Sequence, residues 1–328
     1  MKNCSMQRLQ GQSTPVAAIV ADPTVEVGML IKEIVRSLGI ELAIVSKDPI
    51  DTLRAIESFQ ADIIIIDDNS TNSAISVMRS YISSPVCCLT PTIVLMNESK
   101  KVDGQILATL NRPMVIHKPL SPGRFANGFK ALHNVWSQGF FKEIIDALKK
   151  FNLKQNDEAM QILIQLTRNS KAQSIVAPAI AALVRQSGNT KVAEKILLAA
   201  LKISPLDVGV IVALIDLYIR YGMPQTALRL IKSFESVLGV TSLTSIDALQ
   251  AHLMLNDIDE AIERTKALLA QNMLGTDGRD MLAKLYYCEG RMQEFSQTLH
   301  SETKANKIAT AWNRSTQGLP TPNTAKSA

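Results

Sequence analysis

Short apolar runs recur along the first part of the chain, each followed by a stretch with helical periodicity. The runs are VAAIV at 16–20, Leu42 to Val45, IIII at 63–66, TIVLM at 92–96 and Met114 to Ile116. Between them, residues 24–38 carry Met29, Leu30, Ile34, Val35 and Leu38 on one helical face, and Gly39 ends the pattern. Residues 49–59, 70–82, 99–110 and 121–137 also read as helices. Four β-branched residues in a row at 63–66 predict a central parallel strand buried on both faces. The regular alternation predicts an α/β domain, a doubly wound (βα)5 parallel sheet.

From residue 140 the strand-like runs stop and a period of 34 residues takes over. Ala159, Ala193, Ala227 and Ala261 share one phase, with Phe295 at the next step. Gly188, Gly222, Asn256 and Gly290 share a second. Leu214, Ala248 and Leu282, and Tyr218, His252 and Tyr286, keep two more. Small residues allow close helix approach, and Gly or Asn allows a left-handed turn. The pattern predicts five helix pairs, with first helices starting near 139, 174, 208, 243 and 276 and second helices near 156, 190, 224, 258 and 292. Pro205 falls at a hand-over between pairs. The first of these helices, FFKEIIDALKKF, is out of phase and reads equally as a continuation of the helix over 121–137. The expected organisation is a flexible 1–15, an α/β domain over 16–137, an all-α repeat region over 138–312, and a polar Pro/Ser/Thr-rich disordered tail over 313–328.

Composition narrows the function classes. Of 328 residues 46% are apolar, enough for a sizeable core, but only 5% are aromatic, which argues against a base-stacking surface. The net charge of +5 is spread evenly, so no dense basic stripe marks a specific nucleic-acid binder. Cys4, Cys87, Cys88 and Cys288 form no CxxC motif, and His117, His133, His252 and His300 have no metal-ligand spacing. The chain carries no Walker loop, GxGxxG or GxSxG, and no enzymatic activity is expected. MKNCSMQRLQGQSTP lacks the apolar centre of a signal peptide and no clean apolar run spans a bilayer, so the expected location is cytoplasmic.

In parallel α/β sheets the chemistry sits at the carboxyl ends of the strands. Those positions are Asp22, Asp67 and Asp68, Met96 and Asn97, and Lys118. Carboxylates facing a cation suit a phosphoryl acceptor: a nucleophilic carboxylate, a metal-binding carboxylate and a cation on the phosphoryl oxygens.

ADIIIIDD at 61–68 and HKP at 117–119, in this order on these elements, resemble a response-regulator receiver domain over 16–137. The resemblance implies Asp67 as phospho-acceptor, Lys118 as its phosphoryl contact, and Mg²⁺ held by Asp22, Asp67 and the backbone carbonyl of Asn69. Departures are equally legible. The acidic pair after the first strand is reduced to Asp22, the usual hydroxyl residue is Met96 with Asn97 after it, the aromatic switch is Val115, and the turn after the acceptor reads DNSTNS. A thioether donates no hydrogen bond. The 34-residue region resembles tetratricopeptide repeats, which implies a partner protein in a groove lined by the first helices. Candidates there are Arg185, Asp216, Arg220, Gln250 and Lys284, which do not match the family's basic carboxylate clamp. Together the resemblances imply a two-component signalling adaptor whose output is protein binding, switched through Asp67 by a histidine kinase or phosphotransfer protein. A phosphorylation-independent pseudo-receiver scaffold and a phosphotransfer sink are the other expectations.

Overall fold

The computed structural model describes residues 16–20, 25–38, 40, 42–46, 49–68, 74–97, 110, 113–238, 242–270 and 275–298. Five strands, β1 (Val16–Val20), β2 (Leu42–Ser46), β3 (Ile63–Asp67), β4 (Thr92–Met96) and β5 (Met114–His117), form one parallel sheet in the order β2-β1-β3-β4-β5. Its helices are α1 (Val25–Ser37), α2 (Pro49–Phe59), α3 (Ala74–Tyr81), α4 (Pro85–Leu89) and α5 (Pro122–Trp136). The remaining elements among the described residues are helices: α6 (Gly139–Asn152), α7 (Asn156–Leu166), α8 (Ser170–Gln186), α9 (Thr190–Ile203) and α10 (Val208–Arg220). Then come α11 (Pro224–Leu238), α12 (Ser242–Met254), α13 (Ile258–Ala270), α14 (Gly275–Cys288) and α15 (Met292–Thr298).

The tetra-isoleucine run is buried along its whole length, with Ile64, Ile65 and Ile66 fully covered. Each such side chain contributes about 1.5–3 kcal/mol of burial. Register brings the strand ends level: Asp67 lies beside Leu95, and Met96 beside His117. Gly128 lets α5 lie close on β5, since a Cβ there would come 2.5 Å from Ile116 Cδ1.

The chain divides into two compact units, 1–221 and 222–328. The change of element type at 137/138 is therefore not where the compact units part. The reason is α4, which the sequence reading did not foresee. Ser84 caps it, its hydroxyl accepting from the Cys87 N–H at 3.4 Å, and Pro85 opens the helix. Cys87, Cys88 and Leu89 are buried, and α4 packs on α8 and α6. α8 is buried continuously from Ser174 to Ala182 and α10 from Val208 to Ile215. Helices apolar on every side need cover on every side, and α4 belongs to that cover for α8. The expected start of α8 near 174 lies at Ser170 instead, where the Asn169 side chain accepts from the Lys171 N–H.

The helix following α5 is a separate element, since α5 ends at Trp136 and α6 begins at Gly139, whose φ is +55°. It also keeps the period. Lys154, Gly188, Gly222, Asn256 and Gly290 all have positive φ, and each is 34 residues from the last. At Gly188 the turn N–H donates to the Arg185 carbonyl and that of Asn189 to the Val184 carbonyl; Lys154 and Gln155, Asn256 and Asp257, and Gly290 and Arg291 repeat the pair. Orphan carbonyls at each helix end are satisfied this way. Ala159, Ala193, Ala227 and Ala261 are all fully buried, and Phe295 fills the same phase in α15. The second helices start at 156, 190, 224, 258 and 292, as the period predicts. The expected helix over 99–110 lies outside the described residues except for Leu110, as do the tails 1–15 and 313–328.

Two outcomes follow. Gly188→Ala, forced to φ +82°, should cost about 1 kcal/mol, whereas Lys154→Gly should gain about 0.5–1 kcal/mol, read as opposite shifts of the urea midpoint. Burial, foremost, pushes the Cys87 thiol up to about 12 and drives Cys88 higher still. At pH 8 a maleimide followed by peptide mapping should therefore label the exposed Cys288 in the folded protein, and Cys87 and Cys88 only after denaturation.

Candidate functional site

Asp67 ends β3, the middle strand of the sheet, so a strand buried on both faces delivers its last side chain to the carboxyl edge. The carboxylate is 2% exposed, and its Oδ1 lies 2.6 Å from Lys118 Nζ. Lys118 follows β5, two strands away, and is anchored by its own N–H donating to the Met96 carbonyl at 2.9 Å. The same ammonium donates to the Asp68 carbonyl at 3.1 Å. Sheet register thus brings together the sequence's acceptor carboxylate and cation, which lie far apart in the chain.

Asp68 is not a solvated loop carboxylate. It is 3% exposed, and its Oδ1 accepts from the Ala74 N–H at 2.9 Å, at the first residue of α3. Carboxylates at helix starts satisfy orphan donors and complement the helix dipole. Met96 is fully buried at the end of β4, Asn97 is exposed, and Val115 is half-buried on β5. Asp22 and Asn69, the other expected metal contacts, lie outside the described residues. Among the described residues no three His, Cys, Asp or Glu side chains cluster as a metal site.

Three of the five groove candidates converge. Arg220 Nε donates to both Asp216 oxygens, at 2.9 and 2.8 Å, one helical turn apart on α10. Arg185 Nη1 on α8 is 3.9 Å from Asp216 Oδ2, and its Nη2 donates to the Ser83 carbonyl at 3.1 Å, in the segment joining α3 to α4. Arg79, in the last turn of α3, acts on the same carboxylate and was missed in the sequence. Burial foremost pushes its guanidinium below its ordinary value, Asp216 opposes that shift and Arg220 adds to it. The available signal was a lone cation near the end of a mostly apolar helix. α3 therefore begins at a side-chain cap beside the Asp67–Lys118 pair and ends at the Asp216 cluster. Gln250 on α12 and Lys284 on α14 are exposed in the second unit.

The second unit has its own ion-pair centre. Arg264 donates to both Glu235 oxygens at 3.0 and 2.8 Å, and the Thr244 hydroxyl donates to Glu235 at 2.8 Å. His252 is buried with Nδ1 3.0 Å from an Asp257 carboxylate oxygen, so it packs in the helical core.

The Asp67–Lys118 pair is asymmetric in exposure, 2% against 23%. Lys118→Ala should cost about 3 kcal/mol, because the carboxylate loses its cation inside the protein. Asp67→Asn should cost about 1 kcal/mol, because the ammonium still reaches water. Denaturant unfolding of the two variants checks the order. In comparisons with known proteins, no family model, no curated protein and no solved structure matches this chain.

Proposed function

We propose that the chain is a response-regulator-like signalling adaptor of the two-component, phosphorelay kind. In this reading the sheet layer is a doubly wound (βα)5 receiver and the helical part a tetratricopeptide-like array that binds a protein partner. The observation that carries it is the buried Asp67 carboxylate at the end of the middle strand, 2.6 Å from Lys118. Further support comes from the strand order β2-β1-β3-β4-β5, a doubly wound order whose ligands sit at the strands' carboxyl ends. The helical array is supported by the positive-φ turns at 34-residue intervals and the buried alanines in phase with them.

The chemistry is a phosphoryl transfer, with the donor a phosphohistidine of a kinase or phosphotransfer protein. An Asp67 carboxylate oxygen attacks phosphorus, the donor's P–N bond breaks, and the electron pair returns to the imidazole nitrogen, leaving an acyl phosphate. Lys118 then turns from Asp67 Oδ1 to a phosphoryl oxygen, keeping its charge compensated. Asp22, Asp67 and the Asn69 carbonyl would hold Mg²⁺ when it is bound, and the ion would neutralise charge on the phosphoryl group. The route to the helices is α3, capped by Asp68 and ending beside Asp216. In this reading the chain works in the cytoplasm as a binding protein and not as an enzyme.

One observation favours a second reading. Met96, buried at the end of β4, has no hydroxyl to bond a phosphoryl oxygen, which suits a pseudo-receiver scaffold that acts without phosphorylation. Incubation with Mg²⁺ and acetyl phosphate, followed by intact-mass measurement, separates the two. One phosphoryl adduct, lost in Asp67→Ala, is expected for the adaptor. No adduct, under conditions that label an ordinary receiver, would leave the scaffold.

A further inference from the structure

We propose that α3 and α4 form a strap whose seal on α8 is held shut from the Asp67–Lys118 pair. Loss of that pair's contacts lets α4 lift from α8 while the sheet stays folded. This deepens the reading above and rests on it for the event that draws Lys118 away from Asp67. The strap has little hold of its own. α4 is five residues long, and a helix so short is marginal in water. Its residues Pro85, Cys87, Cys88 and Leu89 are buried, and the helix packs on α8 and α6. The fit is incomplete: a cavity of about 40 Å³ remains between Met78, Cys87 and Cys88 on one side and Ile175, Pro178 and Gly209 on the other. A gap forfeits part of the dispersion attraction across it, so this joint opens more readily than a filled one.

A run of polar contacts ties the seal to the Asp67 edge. Lys118 Nζ lies 2.6 Å from Asp67 Oδ1 and donates to the Asp68 carbonyl at 3.1 Å. Asp68 Oδ1 accepts from the N–H of Ala74, the first residue of α3. At the other end of α3 the Tyr81 carbonyl accepts from the Ser84 N–H at 2.9 Å, and the Ser84 hydroxyl caps α4. That hydroxyl donates to Glu57 on α2 at 2.9 Å, and the Ser83 carbonyl accepts from Arg185 on α8 at 3.1 Å. One cation therefore holds the residue whose side chain starts α3, and the end of α3 is bonded to the start of α4. Met96 on β4 and Val115 on β5 supply no hydroxyl or ring to carry a change along those strands. Helix α3, by contrast, is tied by polar contacts at both ends.

Lifting α4 uncovers the Cys87 and Cys88 thiols, which report the opening. The test times maleimide labelling of the full chain, resolved by peptide mapping, against the global unfolding equilibrium from a urea titration. The exposed Cys288 is the reference. In the native chain Cys87 and Cys88 should label no faster than global unfolding allows. In Lys118→Ala, and in Lys118→Met, which keeps the methylene stem, they should label at least about tenfold faster than global unfolding allows. Arg185→Gln, which frees the Ser83 carbonyl, should do the same. Leu163→Ala removes a fully buried side chain from α7, so it should destabilise the chain yet keep both thiols at the global rate. Hydrogen exchange at 63–67 and 92–96 should stay slow in Lys118→Met while exchange at 84–90 speeds up. The proposal is overturned if the thiols of either Lys118 variant or of Arg185→Gln follow global unfolding, or if Leu163→Ala speeds them as much. It is overturned also if the strands exchange as fast as 84–90, since the whole unit then opens. No phosphoryl donor is present, so a failure here leaves the acetyl phosphate result standing. An Asp67 that takes no phosphoryl group, with the thiols released in the Lys118 variants, would sink the phosphorelay reading alone.

Discussion

A carboxylate at the end of a strand buried on both faces has to carry its counter-charge with it. That constraint organises the sheet half of this protein. Ile63 to Ile66 anchor β3 in the core, and Asp67 follows with almost no access to water. Lys118 neutralises it from the end of β5 and holds the Asp68 carbonyl with the same ammonium. Three chain segments are thereby tied at one edge: the end of β3, the approach to α3, and the exit from β5. The arrangement is costly to bury and specific in geometry, which is why it marks the site more sharply than the surrounding apolar packing does.

The helical half obeys a different constraint, the left-handed turn. Each helix pair must reverse direction within a few residues, and a positive φ at one position lets the following N–H groups reach back to the last carbonyls. Glycine or asparagine takes this conformation cheaply. Lys154 takes it at greater cost, which hid the first turn from the sequence pattern although it keeps the 34-residue spacing. The buried alanines in phase with these turns serve the same end, since a larger side chain would hold the paired helices apart.

Between the two halves of the first compact unit, α3 and α4 link the two kinds of order. The Asp68 side chain satisfies the first donor of α3, the Ser83 carbonyl after α3 accepts from Arg185, and α4 covers part of α8. Cys88 Sγ lies 3.1 Å from the Ile82 carbonyl within the same joint. Both ends of one short helix thus meet a carboxylate: the Ala74 N–H meets Asp68 at its start, and the Arg79 side chain feels Asp216 at its end.

By itself the sequence determined most of the described element types, the burial of the isoleucine run, the period of the helices and the placing of Asp67 and Lys118 at strand ends, because periodicity and side-chain chemistry are local properties. It could not show α4, since a five-residue helix has no period to read, although Ser84–Pro85 was a start signal. It could not show that the compact units part after Tyr221, because that depends on what covers the outer faces of α8 and α10. The absence of a polar face on residues 174–182 was the hint that something must. Nor could it bring Arg79, Arg185 and Asp216 together or assign Asp68 to the start of α3. Those partners lie on different elements or across a loop, and only three-dimensional packing decides which charges share a dielectric environment.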